Sequence, residues 1–130
     1  MTSPEKTVLI IEDEADAAEL FAEMMRVSGF RVLKTSSSTP ALSLIATEKP
    51  DIIILDIMMP DVSGLDILRQ MRQDPELADI PVVVVSAKSM PADIKIGMEA
   101  GASTYLTKPI GFLELKEAVE RAMGNQSTAA

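Results

Sequence analysis

The sequence contains no histidine and no cysteine. Without histidine there is no Ser-His-Asp triad, no imidazole-ligated metal and no phosphohistidine carried by this chain. Without cysteine there is no disulfide, no thiolate site and no redox switch. That leaves the compartment open, though a reducing cytosol fits. Positive charge is scarce too: 12 Lys and Arg against 20 Asp and Glu leave a net charge of −8. Nucleic acid and anionic membrane both call for a basic face, so the balance argues against either as a direct partner. No apolar run approaches the ~18 residues of a membrane span. The start, Met-Thr-Ser-Pro-Glu-Lys, has no signal-peptide character. There is no internal repeat. Any acid–base or metal chemistry must therefore come from carboxylates, hydroxyls, lysines and backbone.

What is present suits one folded domain. The chain has 130 residues, 47% apolar and 25% charged, enough for a full hydrophobic core. Residues 1–124 are expected to form it. Residues 125–130, small and polar, read as a flexible tail or linker stub.

The most informative stretch is Asp51 to Gly64, Asp-Ile-Ile-Ile-Leu-Asp-Ile-Met-Met-Pro-Asp-Val-Ser-Gly. A continuous apolar run with several β-branched residues predicts a strand buried on both faces, ending at Asp56. Met58 and Met59 read as turn residues. Four more strand signals flank it: Thr7–Ile11, Phe30–Thr35, Val82–Val85 and Ser103–Leu106. Arg31 and Lys34 interrupt the second, which suits an edge. Helical patterns alternate with the strands. Ala17, Leu20, Phe21, Met24 and Met25 recur at helical spacing and are expected in the core. Thr39 as N-cap and Pro40 in the first turn predict a second helix with Ala41, Leu44 and Ile45 inward, stopped by Lys49-Pro50. A third runs from about Gly64 to Arg72, with Leu65, Leu68 and Met71 on one face. A short, weakly amphipathic fourth spans Ala92–Ala100, and the last runs Gly111–Met123 on a stripe of Phe112, Leu115, Val119 and Met123. Strand then helix, five times, predicts an α/β doubly wound parallel sheet.

In such a sheet all strand C-termini lie on one edge. That edge would gather Glu12 and Asp13, Asp56, Ser86 and Lys108. Packed acids repel and take up protons unless a cation is present. An all-oxygen cluster suits Mg2+. Asp56, ionised at neutral pH, could attack phosphorus without a general base, and Lys108 could hold phosphoryl oxygens as a point charge.

Jointly, Glu12-Asp13, Leu-Asp-Ile-Met-Met-Pro-Asp-Val-Ser-Gly around Asp56, Ser86-Ala87, Tyr105 and Lys108-Pro109 resemble the response-regulator receiver domain of two-component signalling, of the chemotaxis-regulator type. The similarity covers about Thr7 to Met123. It implies a flavodoxin-like (βα)5 fold with strand order 2-1-3-4-5 and Asp56 as phosphoacceptor. The resemblance further implies Mg2+ (or Mn2+) on Asp13, Asp56 and the backbone carbonyl of Met58, with Glu12 acting mainly through water on the ion. Lys108, Ser86 and the Ala87 backbone would hold the phosphoryl group, with a cis bond at Lys108-Pro109. Ser86 would move on phosphorylation and Tyr105 would swing inward, changing the face of the fourth helix, fifth strand and last helix. The implied partners are a sensor histidine kinase or histidine phosphotransfer protein and, through that face, a downstream protein or an output domain beyond Gly124. A cytoplasmic location is expected.

Two departures stand out. Ser103-Thr104 replace acids that many DNA-binding members use in dimer salt bridges. Met58 stands where a polar side chain can position hydrolytic water, so slow self-dephosphorylation is expected. Competing readings are an aspartyl-nucleophile phosphatase of the dehalogenase type, a flavodoxin-like cofactor binder and an unphosphorylated binding module. Met58 lacks the second acid of the first. Glu12-Asp13-Glu14 would repel the phosphate of the second. The intact constellation argues against the third.

Overall fold

Three of the five strands are uninterrupted apolar runs, and two-sided burial is what such runs require. The computed structural model describes residues 5–37, 39–59 and 63–124. The tail expected at 125–130, and Pro60, Asp61 and Val62 of the central motif, lie outside them. Ten elements alternate: β1 (Thr7–Ile11), α1 (Ala15–Val27), β2 (Arg31–Thr35), α2 (Ala41–Glu48), β3 (Ile52–Asp56), α3 (Gly64–Gln73), β4 (Val82–Ser86), α4 (Pro91–Ala100), β5 (Thr104–Thr107) and α5 (Phe112–Ala122). The strands pair in parallel in the order β2-β1-β3-β4-β5. This is the doubly wound sheet expected from the pattern. Every residue of β1, β3 and β4 is buried. β2, with Arg31 and Lys34 exposed, is an edge.

Successive strand side chains point to opposite faces, so one apolar run feeds two cores. Leu9, Ile11, Ile53, Leu55, Val82 and Val84 pack with Ile45 of α2 and Ile67, Leu68 and Met71 of α3. Val8, Ile10, Ile52, Ile54, Val83 and Val85 pack with Phe21 and Met25 of α1 and Leu115 and Val119 of α5. At about 25 cal/mol per Å2 of buried apolar area these faces supply the main folding force.

Three expectations shift. The buried stripe of α1 is Ala18, Phe21, Ala22 and Met25, and Leu20 is 54% exposed. Ala18 and Ala22 join Phe21 and Met25 in the core, so the inward face is turned from Leu20 and Met24 toward two small residues. α2 begins at Ala41 with Pro40 in the cap position at φ −81°, ψ −4°. Pro40 is already near helical there, which moves the start one residue beyond the predicted Thr39 cap. Met59 is 8% exposed and packs into the α2–α3 core, whereas Met58 is 47% exposed. The turn after β3 folds one methionine in and one out.

A polar anchor ties α3 to the connections that flank β4 on the same face of the sheet. Arg72 Nε donates to Gly101 O at 3.0 Å, and its Nη1 donates to Ala78 O at 2.9 Å and Ile80 O at 2.7 Å. Burial lowers its pKa, with the field of Asp79 opposing. Three carbonyls satisfied by one guanidinium fix the α3–β4 connection and the turn after α4 together.

Candidate functional site

Parallel pairing places the ends of β1, β3, β4 and β5 on one edge. Glu12 and Asp13 follow β1, and the Glu12 N–H donates to Thr35 O of β2 at 3.1 Å. Asp56 is the last residue of β3, opposite Val85 of β4. The Lys108 N–H donates to Ser86 O at 2.8 Å, tying the end of β5 to β4. The Lys108-Pro109 bond is cis.

Lys108 joins the acids. Its Nζ is 2.9 Å from Glu12 Oε1 and 2.9 Å from Asp56 Oδ2. Glu12 is 1% exposed and Asp56 5%. The remaining oxygens are also engaged. Glu12 Oε2 accepts from the Glu14 N–H at 3.2 Å, and Asp56 Oδ1 from the Met58 N–H at 2.8 Å. Lys108 Nζ also lies 6.0 Å from the centre of the Phe21 ring. Asp13 is exposed at the rim, yet Glu12, Asp13 and Asp56 each offer a carboxylate oxygen within 4.8 Å of the others. A hard, all-oxygen donor set of this kind fits Mg2+ or Mn2+.

Other expected site residues lie beside this cluster. Ser86 is fully buried at the end of β4, and its Oγ accepts from the Lys88 N–H at 3.0 Å. Ala87 follows on the exposed loop. Tyr105, half-buried, aims its hydroxyl at Lys88 O, 2.8 Å away. Sequence reading left Lys88 without a role, because it acts through backbone. Phe21 was read as core alone; only the reach of Lys108 from the end of β5 across the strand ends to Glu12 and Asp56 puts it near the ring. Gly64 carries a constraint that was also missed. A Cβ there would lie 2.6 Å from Ile57 Cα and 2.8 Å from Asp56 O. Its place directly after the motif was the available signal.

Charge on Glu12 is costly in this setting. Burial raises the pKa of Glu12; the Lys108 bond opposes this, and the negative field of Asp56 adds to it. For Lys108, burial works against the charge, and its bonds to Asp56 and Glu12 outweigh that, leaving its pKa raised. A carboxyl raised on folding contributes stability fully present below its unfolded value of about 4.5 and lost as pH rises through the folded value. Metal-free protein should therefore gain stability from Glu12 on acidification from neutral pH toward 4.5. Chelated melts at several pH values should show this gain reduced in Glu12→Gln. An identical pH dependence in the two proteins would contradict it.

The response regulator receiver domain family matches residues 8–120. The chain is 34% identical over 120 residues to the polar-differentiation response regulator DivK of Brucella ovis, covering 92% of this chain and 98% of that one. A protein of Chloroflexus aurantiacus described as a response regulator superposes with a TM-score of 0.89 at 30% identity, over 93% of this chain and 99% of that one. The receiver domain of the sensor histidine kinase PA1611 of Pseudomonas aeruginosa PAO1, solved with magnesium in its active-site cleft, superposes with a TM-score of 0.85 at 24% identity, over 93% and 99%. With this fold and an edge where acids from the ends of β1 and β3 meet a lysine beyond β5, the chain belongs to the response regulator receiver domain family, the phosphoacceptors of two-component signalling.

Proposed function

We propose that Asp56 takes a phosphoryl group from a phosphohistidine on a sensor histidine kinase or histidine phosphotransfer protein, and that the adduct switches the domain between two conformations. The observation that carries this is the convergence of Lys108 Nζ on Asp56 and Glu12 at 2.9 Å each, with Asp13 completing the cluster. In the transfer, an Asp56 carboxylate oxygen forms a bond to phosphorus as the P–N bond to the donor imidazole breaks. The electron pair returns to the imidazole nitrogen.

Glu12, Asp13, Asp56 and the Met58 carbonyl are suited to hold Mg2+ or Mn2+. Bound there, the ion would neutralise charge on the transferring group. Lys108 exchanges carboxylate contacts for phosphoryl oxygens, and the Asp56 carboxylate, fixed by the Met58 N–H, presents its other oxygen to phosphorus. Ser86 and the Ala87 backbone, one strand over, would hold a phosphoryl oxygen. Tyr105 would then pass the change to the face of α4, β5 and α5, read by a downstream protein or an output domain. Among the described residues no helix is long and apolar enough to cross a membrane, and we place the reaction in the cytoplasm. The activity is confined to assisting self-phosphorylation and self-dephosphorylation.

Incubation with a small phosphodonor and Mg2+ tests the reading. Wild type should gain a single phosphoryl adduct, Asp56→Asn should gain none, and chelation should abolish it. Labelling of the Asn variant overturns the assignment. Sustained hydrolysis of phosphomonoesters would favour a phosphatase. Met58 offers no polar side chain to position water, so the adduct should be long-lived and Met58→Asn should shorten its lifetime. An unchanged lifetime would count against that role.

A further inference from the structure

Gly97 sits in the middle of α4, buried, where glycine weakens a helix relative to alanine. Its φ is one that any residue adopts, so the backbone does not demand glycine. Space does. A Cβ at this position would lie 2.7 Å from Tyr105 Cδ2 and 2.8 Å from Cε2. The Tyr105 ring therefore rests flush on bare helix backbone. From that seat its hydroxyl donates to Lys88 O at 2.8 Å. The N–H of the same Lys88 donates to Ser86 Oγ at 3.0 Å. A continuous physical path runs from Gly97 through the ring to the loop beside Asp56.

We infer that Gly97 is a positioning residue for phosphorylation. By leaving room for the Tyr105 ring it clamps the Ser86–Lys88 loop before any phosphoryl group arrives. Tyr105 is bound to the carbonyl of Lys88 while the amide of Lys88 is bound to Ser86, so displacing the ring frees the loop at one point and loosens Ser86 at the next. A methyl group at residue 97 cannot be absorbed by a flexible side-chain end, because it meets the ring itself. Either the ring or the helix must move.

The test uses Gly97→Ala, which also favours the helix and so separates positioning from folding. Tyr105 is the single tyrosine and there is no tryptophan, so intrinsic fluorescence reports this ring alone. Three quantities are read: acrylamide quenching of Tyr105, hydrogen exchange of the Lys88 amide by NMR, and the rate of labelling by a small phosphodonor with Mg2+. In Gly97→Ala, quenching should rise, Lys88 exchange should accelerate by roughly tenfold and labelling should slow by roughly three- to tenfold, within the lower part of the range of couplings between touching residues. The melting temperature should change little, the gain in helix propensity offsetting the displaced ring. In a Tyr105→Ala background the same substitution should leave exchange and labelling unchanged. Unaltered quenching or exchange in Gly97→Ala overturns the inference, as does an equal slowing with and without the ring. The inference rests on Asp56 being the phosphoacceptor. If wild type fails to label, that reading falls, while quenching and exchange still decide whether Gly97 seats the ring and holds the loop.

Discussion

Lys108→Met should slow phosphoryl transfer onto Asp56 by roughly two to three orders of magnitude at fixed Mg2+. A charge pair ~4 Å apart is worth roughly 4 kcal/mol at an effective dielectric near 20, before desolvation. Each ~1.4 kcal/mol is a factor of ten in rate. Desolvation takes back part of that sum, which keeps the estimate below its ceiling. In the resting site Lys108 balances two buried carboxylates at 2.9 Å each. Its removal leaves their repulsion unanswered, so the pKa of Glu12, already raised by burial, should rise further. Metal-free variant should lose stability at neutral pH and bind Mg2+ more tightly, the ion taking over the countercharge. Lys108→Arg keeps the charge but replaces a compact ammonium with a planar fork, and should restore the rate only in part. A wild-type labelling rate in Lys108→Met would show that the ammonium does not meet the transferring group.

Gly64→Ala should cost about 1–3 kcal/mol, the range of forced overpacking in a tight core. Its Cβ would meet Ile57 Cα at 2.6 Å and Asp56 O at 2.8 Å, both backbone atoms with no rotamer to escape into. The first residue of α3 must pass against the strand end that carries Asp56. The Ser63 side chain caps the same helix by accepting from the Leu65 N–H at 3.2 Å. For a domain of this size the melting temperature should fall by roughly 3–15 °C. Labelling should slow as well, because the shift falls on the Asp56 backbone. Unchanged melting and labelling would mean that the turn has room the structure does not show.

The large features were legible for simple reasons. β1, β3 and β4 announce themselves as unbroken apolar runs, and two charged residues mark β2 as an edge. Once the sheet is parallel, Glu12, Asp13, Asp56, Ser86 and Lys108 must share its C-terminal edge. What escaped is what packing alone decides. Leu20 and Ala18 compete for the inward side of α1, and the small residue is the one buried. Met58 and Met59 are indistinguishable in sequence, yet one is exposed and the other is core. Glu12 and Asp13 are adjacent acids, but one is buried and the other exposed. Gly64, Gly97 and Arg72 act through close approach or backbone carbonyls, for which residue type gives no periodic signal.

The central claim is that Asp56, and neither of its neighbours, carries the phosphoryl group. Borohydride reduces an aspartyl phosphate to homoserine, so the modified position can be read by peptide mass spectrometry after labelling with a small phosphodonor and Mg2+. The account predicts homoserine at residue 56 alone. Reduction at position 12 or 13, or a labelled protein whose residue 56 remains aspartate, would contradict it.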